Sequence, residues 1–467
     1  MKTIVWLRQD LRLSDNPALH AATERGEVYP LYILDDVNAK EEKMGAASRW
    51  WLHYSLSALS EALKGHLSLF SGDPLPFLKK FIKEQGISAI YWNRCYEPWR
   101  IQRDKTIKKA LKEEGIEVKS FKGSLLWEPL NILKSDGTPY RVFTPFYKAC
   151  QKEDPPRKPF PHPKLKTAQL EGSLTLDQLN LLPKKSWSKK LEGLWEIGEA
   201  GAEKAAQKFL KIALATYKKE RDYPGREGVS RLSPHLHFGE ISPHQIFAAA
   251  HQEKESVGLN HFISELGWRE FSYYLLYHFP TLPNKNFQSK FDSFPWQNSP
   301  SHLKKWQKGM TGIPMVDAGM RELWETGYMH NRSRMIVGSF LVKNLLLDWR
   351  AGERWFWDCL VDADLASNSA SWQWVAGCGA DAAPYFRIFN PITQGEKFDP
   401  DGVYIHRFVP ELANLPPPSL FAPWTAPKEE LEKAGITLGK TYPYPIVDLK
   451  KSREKALKAF SKIKGTS

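Results

Sequence analysis

A short turn rich in hydroxyl groups precedes a predicted helix start near the middle of the chain. The segment GVSRLS at 228–233 carries Ser230 and Ser233 within a run that is not yet helical. Hydroxyls and free backbone N–H groups at a helix start are the donors that a diphosphate requires. Serines that only cap a helix give the same pattern. Taken alone, this segment predicts either a phosphate site or a capped turn.

A second cluster combines acidic, amide and indole side chains over residues 362–374. Asp362, Asp364 and Asn368 precede Trp372 and Trp374, with few apolar residues that could form a core stripe. Carboxylates beside an indole pair suit recognition of ribose, adenine or flavin, and they also suit a capped helix.

Another segment, GCGADA at 377–382, matches the dinucleotide pattern G-x-G-x-x-A. That pattern requires a strand, a tight turn and a helix, and nearby prolines exclude such a helix here.

The elements that carry these side chains change in type along the chain. Up to about residue 130, the apolar runs TIVWLR, VYPLYIL, LSLFSG, SAIYWNR and IEVKSF alternate with amphipathic helical segments. Strands separated by helices predict a parallel sheet. Pro and Lys then dominate up to about residue 200, which is typical of a linker. We therefore predict a Rossmann-like α/β domain at 1–130, a linker at 131–200 and an all-helical domain at 201–467.

Within the helical part, the pattern predicts one continuous helix through NRSRMIVGSFLVKNLLLDW and a solvated, Lys-rich helix beyond Lys450. The composition favours a polyanionic partner such as nucleic acid, because 66 Lys and Arg outnumber 53 Asp and Glu and give a net charge of +13. Basic proteins without such a partner share this balance. The four cysteines show neither C-x-x-C nor zinc spacing. We expect no metal, no disulfide framework, no membrane anchor and a reducing cytoplasm.

Seven segments together resemble the cryptochrome/photolyase family. They are VWLRQDLRLSDNPAL, FTPFYKAC, GVSRLSPHLHFG, ELGWREF, MVDAGMRELWETGYMHNRSRM, DLASNSASWQW and APYFRIFNPITQGEKFDP, in this order. The resemblance covers nearly the whole chain and, within the family, points to the bacterial class I photolyases of cyclobutane pyrimidine dimers. It implies an antenna domain, a long connector and a helical domain that holds one U-shaped FAD.

The matched motifs imply which residues contact the FAD. The phosphates and ribose would contact Tyr217, Val229, Ser230, Arg231, Leu232 and Ser233, and the flavin ring and ribitol would contact Asp362, Ala363 and Asp364. Arg334 would lie beside the flavin and pair with Asp362. The family commonly has Thr at position 229, so one hydroxyl contact is absent. Asn368 would face flavin N5, where a neutral amide favours repair over light sensing.

The resemblance implies light-driven repair of cyclobutane pyrimidine dimers, by electron transfer from excited reduced FAD to a dimer flipped out of DNA. Glu265, Asn331 and Met335 would determine the substrate, and Glu265 and Asn331 would hydrogen-bond the base edges. Trp268 and Trp374 would sandwich the two bases.

Relatives that repair (6-4) photoproducts carry two histidines at the places of Asn331 and Met335. His330 is adjacent, but neighbouring positions differ by about 100° around a helix. We therefore do not predict (6-4) repair.

Three tryptophans, Trp372, Trp349 and Trp296, match the family's relay that carries electrons from the surface to the flavin. Each indole in such a chain is oxidisable. Two further tryptophans, Trp306 and Trp324, are predicted to lie in the core.

The rim that faces DNA would consist of residues contacting phosphates and bases. It comprises Arg221, Glu265, Trp268, Arg269, Asn331, Arg332, Trp374 and Gln394. Binding to single- or double-stranded DNA should depend on lesion structure and fall as salt rises.

The antenna pocket is expected near NRCYEPWRIQRD. Family members that bind folate often have Asn-Glu where this chain has Trp99 and Arg100. Methenyltetrahydrofolate, a deazaflavin or no antenna therefore remain open. We expect a monomer. The alternative function is a cryptochrome-like blue-light sensor.

Overall fold

The computed structural model describes residues 1–382 and 386–464. Residues 383–385 of the APYFRIFNP segment and residues 465–467 lie outside the described residues. The chain forms two compact units that interleave along the sequence. The first unit contains Met1–Ala215, Ser230–Pro280 and Val361–Ala366, and the second contains Thr216–Val229, Thr281–Leu360 and the residues from Ser367 onward. The sequence-based domain bounds at 130 and 200 stay a prediction.

A five-stranded sheet organises the first unit. Its strands are β1 Lys2–Leu7, β2 Glu27–Leu34, β3 Ser68–Ser71, β4 Ala89–Asn93 and β5 Glu117–Phe121. They lie in the order β3-β2-β1-β4-β5, and every neighbouring pair is parallel. The predicted α/β class and all five predicted strands are confirmed.

The helices beside the sheet begin and end where local signals predict. They are α1 Pro17–Thr23, α2 Asp36–Ala39, α3 Ala46–Ala62, α4 Pro74–Gln85 and α5 Pro98–Glu113. Asp73 caps α4 through the Leu75 N–H, and Gly86 ends α4 in the left-handed conformation at φ 64°. Ile4 and Val5 of β1 belong to two different buried clusters, as the alternation of side chains along a strand requires. Both faces of the sheet are therefore covered.

From residue 201 onward the described chain is mainly helical, as predicted, and one further helix lies within the stretch predicted as a linker. These helices are α6 Phe143–Cys150, α7 Glu199–Ile212, α8 Tyr217–Glu220, α9 Ser233–Phe238, α10 Pro243–Ala250, α11 Val257–His278, α12 Pro300–Gln307, α13 Pro314–Thr326, α14 Asn331–Ser339, α15 Trp349–Cys359, α16 Leu365–Ala376, α17 Pro391–Phe398, α18 Val403–Phe408, α19 Lys428–Lys433 and α20 Leu449–Lys464. Short 3₁₀ turns lie at Lys40–Glu42, Asp177–Leu179, Ser186–Leu191, Ser289–Ser293, Pro410–Leu412, Ser419–Phe421 and Pro423–Thr425.

The continuous helix predicted through residues 331–349 is wrong. After α14 the backbone widens into a π-helix at Phe340–Asn344 and then leaves the helical path, with Leu346 at φ 54°. Asp348 restarts the helix, because its side chain accepts a hydrogen bond from the Arg350 N–H at 2.9 Å. Trp349 therefore lies at the first position of a new helix.

The Lys-rich tail forms a helix, but α20 is not solvated all round. Ser452, Ala456, Ala459 and Ile463 are buried along one face. In the described ranges, no helix has the length and apolar character needed to cross a membrane. Over the same ranges, no three His, Cys, Asp or Glu side chains are grouped so as to hold a metal ion.

Candidate functional site

One face of α11 carries two of the predicted substrate contacts. Glu265 and Trp268 are three residues apart, so both side chains project from the same side of the helix. Glu265 lies 3.8 Å from the ring of His261. The Trp268 indole stacks on Phe143 with ring centroids 3.8 Å apart and an interplanar angle of 11°. This stack covers one indole face and fixes the orientation of the ring.

Arg269, the third predicted DNA contact on α11, makes its contacts within the first unit. Its guanidinium donates to the Ser124 carbonyl at 3.0 Å and contacts Glu270 at 3.2 Å. Burial raises the pKa of Glu270 to about 7. These contacts give Arg269 a structural role whether or not it reaches a phosphate.

The turn before α9 has an uncommon backbone. Arg231 adopts φ 52°, a left-handed conformation that L side chains rarely occupy outside functional or strained turns. Its exposed guanidinium lies over Trp195 at 4.3 Å. Ser233, at the start of α9, is exposed, and its hydroxyl donates to Asp362 Oδ2 at 2.6 Å. Ser230, Leu232 and Ser233 thus form a compact helix start tied to the acidic segment.

The acidic segment Val361–Ala366 is fixed from two further elements. Asp364 accepts a hydrogen bond from the Tyr273 hydroxyl and lies 3.4 Å from His237 Nδ1. Burial, reinforced by Asp364, raises the pKa of Tyr273, so this hydroxyl keeps its proton. Asp362, Ala363 and Asp364 are all buried. Sequence reasoning missed Tyr273 and His237, because no local pattern pairs them with a carboxylate far along the chain.

Asn368 is anchored in the second unit by its amide nitrogen. Nδ2 donates to the Glu353 carbonyl at 3.1 Å, and the neighbouring Ser369 hydroxyl donates to Glu353 Oε1 at 2.5 Å. Burial raises the pKa of Glu353 to about 7, against the lowering effect of Ser369. The hydrogen bond orients the amide of Asn368 so that its oxygen, an acceptor, faces away from that carbonyl.

The other predicted FAD contacts of the second unit are Tyr217, Val229 and Arg334. Tyr217 is buried under the guanidinium of Arg221 at 5.3 Å. Arg334 donates through Nε to the Met329 carbonyl at 2.7 Å. Arg334 and Asp362 belong to different units, and their pairing stays a prediction.

A basic cavity of about 400 Å³ lies in the second unit. The lining residues used below are Lys219, Asp222, Arg332, Arg387, Gln394 and Phe398. Arg332 pairs with Asp222 at 2.8 Å and lies over the Phe398 ring at 4.1 Å. Within the described residues, Arg332 Nε and Gln394 Oε1 are buried without a hydrogen-bond partner. The cavity therefore brings together two predicted rim residues, Arg332 and Gln394.

The start of α14 adds the predicted base contacts. Asn331 is exposed and Met335 is partly exposed one turn further along. His330 caps α14, since its Nδ1 accepts from the Arg332 N–H at 3.1 Å, and burial lowers the pKa of His330 to about 4. His330 is thus a neutral cap at pH 7 and offers no acidic proton.

The three predicted relay tryptophans lie on connected elements of the second unit. The Trp372 ring packs against Gly352, where an added Cβ would lie 2.1 Å from the indole. Gly352 is one helical turn from Trp349 on α15. The buried Trp349 donates through Nε1 to Asn286 Oδ1 at 2.9 Å. Gln297, next to the partly exposed Trp296, pairs with Leu347.

Trp306 and Trp324 differ from each other. Trp306 is fully buried and donates to the Val337 carbonyl at 3.1 Å, so the core prediction is confirmed. For Trp324 the same prediction is wrong, because its side chain is 52% exposed. Trp324 stacks on Trp355 at 6.2 Å and 8°, so the two indoles shield each other near the surface.

The hydroxyls and carboxylates at the predicted FAD contacts have the hydrogen-bonding chemistry that FAD requires. Hydroxyls of Tyr217, Ser230 and Ser233 suit phosphate and ribose oxygens, and the buried carboxylates of Asp362 and Asp364 suit the N–H and O–H groups of a flavin and its ribitol. The partly exposed Trp374 indole suits stacking on a base.

Comparison with known proteins agrees with this chemistry. The model described as the FAD binding domain of DNA photolyase matches residues 262–462, and the model described as DNA photolyase matches residues 3–164. The chain therefore belongs to the photolyase/cryptochrome family.

Individual relatives refine the picture. The chain is 50% identical over 474 residues to the deoxyribodipyrimidine photo-lyase of Agrobacterium fabrum, covering 99% of this chain and 98% of the relative. It is 38% identical to cryptochrome-2 of Arabidopsis thaliana, over 99% of this chain and 79% of the relative. A crystal structure titled as a bacterial class III photolyase from Agrobacterium tumefaciens superposes with a TM-score of 0.95 at 50% identity, covering 99% and 98% of the two chains.

Proposed function

We propose that this protein is a deoxyribodipyrimidine photo-lyase, which uses light to split cyclobutane pyrimidine dimers in DNA. The observation that carries the proposal is the basic cavity beside Asn331. A light sensor that signals to a protein has no need of a cavity lined by Lys219, Arg332 and Arg387, whereas an enzyme that binds a DNA backbone does. The cryptochrome-like sensor remains the alternative function.

A bound FAD, reduced and excited by light, would supply the electron needed to open the dimer. The protein supplies the surroundings. Tyr217, Ser230 and Ser233 hold the phosphates and ribose, and Val229, Arg231 and Leu232 form the backbone of that turn. Arg334 would offset the negative charge of a reduced flavin, and Asp362 and Asp364 would accept hydrogen bonds from flavin N–H and ribitol O–H groups. The Asn368 oxygen is an acceptor suited to a reduced flavin nitrogen that carries hydrogen, and its orientation comes from Glu353.

The substrate residues would act on a dimer held outside the helix. Glu265 and Asn331 accept or donate hydrogen bonds at the base edges, and Met335 fills apolar space. Trp268 and Trp374 stack on the bases, at about 1–3 kcal/mol per base, which offsets a flipping cost of a few kcal/mol. Stacking of Trp268 on Phe143 means that its indole is already oriented before DNA binds.

The relay would deliver electrons in the order Trp296, Trp349, Trp372. Support comes from the pairing of Gln297 with Leu347 and from the packing of Trp372 against Gly352. Both contacts support this order, because each joins residues near successive indoles of the proposed relay.

We propose that the protein groups with the class III photolyases. The sequence motifs pointed to class I, and this assignment is not confirmed. Support for class III is the 50% identity to the crystal structure with that title, over nearly the full length of both chains.

An antenna chromophore would bind in the first unit, near Trp99. The Arg100 guanidinium lies over this indole at 4.5 Å, and that of Arg103 lies over it at 5.0 Å. These planar stacks would form one wall of the pocket. Absorption of the chromophores released on denaturation distinguishes methenyltetrahydrofolate, a deazaflavin and FAD alone. We also propose that the protein is cytoplasmic and monomeric. Light scattering of the holoprotein tests the oligomeric state.

The decisive test is light-dependent repair of a thymine dimer in an oligonucleotide. We expect repair of the dimer under blue light, no repair in the dark, and no repair of a matched (6-4) lesion. Light-driven reduction of the flavin without repair of either lesion would overturn the proposal and support the light sensor.

A further inference from the structure

The surface next to Trp296 is joined to a strongly basic helix. Lys455 of α20 donates from Nζ to Gln297 Oε1 at 3.2 Å, and Gln297 directly follows Trp296. Trp296 is partly exposed, and its ring lies 4.4 Å from Phe294. The contact places an ammonium group one residue away from the indole that would begin the relay.

The exposed side of α20 carries many like charges. We call it the α20 basic face; it consists of the exposed residues Lys450, Lys451, Arg453, Lys455, Lys458 and Lys462, against one exposed acid, Glu454. Like charges at i, i+4, as in Lys451 with Lys455, weaken a helix by about 0.2–0.5 kcal/mol per pair. Opposite charges at the same spacing, Lys450 with Glu454 and Glu454 with Lys458, offset this loss, so the excess of six cations over one acid is not explained by the stability of α20.

The basic face is held at a fixed place relative to Trp296. On the opposite side of α20, Phe460 stacks on Phe386 at 4.6 Å, and Phe386 contacts Phe294 at 6.0 Å. Phe294 in turn contacts Trp296. One aromatic cluster thus connects α20 to the relay residue.

Neighbouring charges strengthen this pattern. Lys304, Lys305 and Lys308 are exposed at the end of α12, the helix that follows Trp296. The nearby Asp292 is engaged by the Asn286 amide at 2.7 Å. Between residues 290 and 308 the sequence therefore holds four lysines and one aspartate.

We propose that the α20 basic face docks an acidic electron-transfer protein, which reduces Trp296 after Trp296 has lost an electron. The proposal rests on the relay described under the proposed function. One electron leaves the donor and enters the oxidised indole, and a proton from water returns to the indole nitrogen if that proton was lost. The donor departs oxidised by one electron. Positive charge around a small redox surface attracts an anionic donor and raises its encounter rate by about 10–10³-fold.

The test measures the second-order rate at which external donors re-reduce the Trp296 radical after a laser flash, in the holoprotein. Three small probes differ in charge: ferrocyanide is an anion, hydroquinone is neutral, and hexaammineruthenium(II) is a cation. The variant K451E/K455E/K458E reverses three exposed charges. The matched control K105E/K109E/K112E makes the same change of net charge on exposed positions of α5 in the first unit.

We expect the α20 variant to lower the ferrocyanide rate by about tenfold or more at low salt, to raise the rate with the cation, and to leave the neutral donor unchanged. The effect should vanish near 1 M salt, where charges are screened within about 3 Å. An unchanged ferrocyanide rate overturns the proposal, and so does an equal loss in the α5 control. A loss of affinity for undamaged DNA with donor rates unchanged also overturns it, because the face would then bind nucleic acid.

A second measurement does not depend on the flavin reaction. Iodide and caesium quench exposed indoles with opposite charge preference, and subtraction of the Trp296→Phe signal isolates Trp296. We expect stronger quenching by iodide in the unaltered protein and loss of that preference in the α20 variant. No preference in the unaltered protein refutes the electrostatic basis. If the flash yields no radical that Trp296→Phe removes, the relay and this proposal both fail, whereas dimer repair by the same preparation would still support the proposed function.

Discussion

Replacing Trp349 with Phe separates electron supply from repair. Trp349 is completely buried, and its Nε1 donates to Asn286 Oδ1 at 2.9 Å. Phe keeps an aromatic ring but leaves this buried oxygen unpaired, which costs about 1–3 kcal/mol. The smaller ring leaves a cavity that adds about 1 kcal/mol. The total of about 2–4 kcal/mol lies below the usual 5–15 kcal/mol of domain stability, so we expect the variant to fold.

The expected functional result follows from the oxidisability of indole. Light-driven reduction of the flavin by external donors should slow strongly in Trp349→Phe, because phenylalanine cannot be oxidised in its place. Repair by protein whose flavin was first reduced chemically should stay nearly unchanged, since that reaction draws no electron through Trp349. Flash photolysis and the dimer repair assay measure the two quantities on one preparation.

Trp306→Phe is the matched control. Trp306 is equally buried, donates to the Val337 carbonyl at 3.1 Å, and lies 6.2 Å from Trp372 by ring centroids. Its replacement should reduce stability by a similar amount while photoreduction persists. Normal photoreduction in Trp349→Phe would show that electrons take another route. Loss of repair with fully reduced flavin would show that Trp349 supports the structure of the site.

Four further changes test other parts of the site. Arg332→Gln should weaken binding of dimer-containing DNA and lower the magnitude of the slope of log affinity against log salt by about 1. Titrations at several salt concentrations measure this slope, and an unchanged slope would show that Arg332 does not contact a phosphate. Trp374→Ala should weaken binding of damaged DNA by about 1–3 kcal/mol. An unchanged affinity would show that Trp374 does not stack on a base. Glu265→Ala should reduce repair per bound complex more than it reduces affinity, and the opposite ratio would contradict an electronic role. Burial raises the pKa of Glu353 from its ordinary 4.5 to about 7, so stability should fall as pH rises through this interval. Glu353→Gln should remove about 3 kcal/mol of that loss in denaturant titrations, and an equal pH dependence of stability in both proteins would contradict the raised pKa.

The fold was largely predictable because its local signals agree. Five apolar runs became the five strands, and helix starts such as α10 follow a clear capping box, in which Ser242 and Gln245 bond reciprocally. The interleaving of the two compact units was not predictable, since it depends on contacts between distant segments. Trp324 was misplaced for a similar reason: its partner, Trp355, lies on another helix and shields it without burying it.

The candidate site was predictable as a set of residues but not as a set of contacts. The motifs identified Asn368 and Asp364, while the groups that orient them, Glu353 and Tyr273, lie far away in sequence. Asp222 could have been suspected, because it adjoins Arg221 in a stretch rich in charge. Its actual role, holding Arg332 above Phe398, required the structure.

The π-helix at Phe340–Asn344 limits how this sequence can evolve. A π turn holds more residues than an α turn, and it places Lys343 and Asn344 where their side chains bond the Arg387 carbonyl and the Ser452 hydroxyl. Loss of a single codon here would let the backbone relax to ordinary α geometry, which is locally favourable. The segment would then have one residue fewer, so Lys343 and Asn344 could no longer both occupy their present places. This change would remove links to Arg387 and Ser452, so lineages should tolerate substitutions in this segment far better than changes in its length.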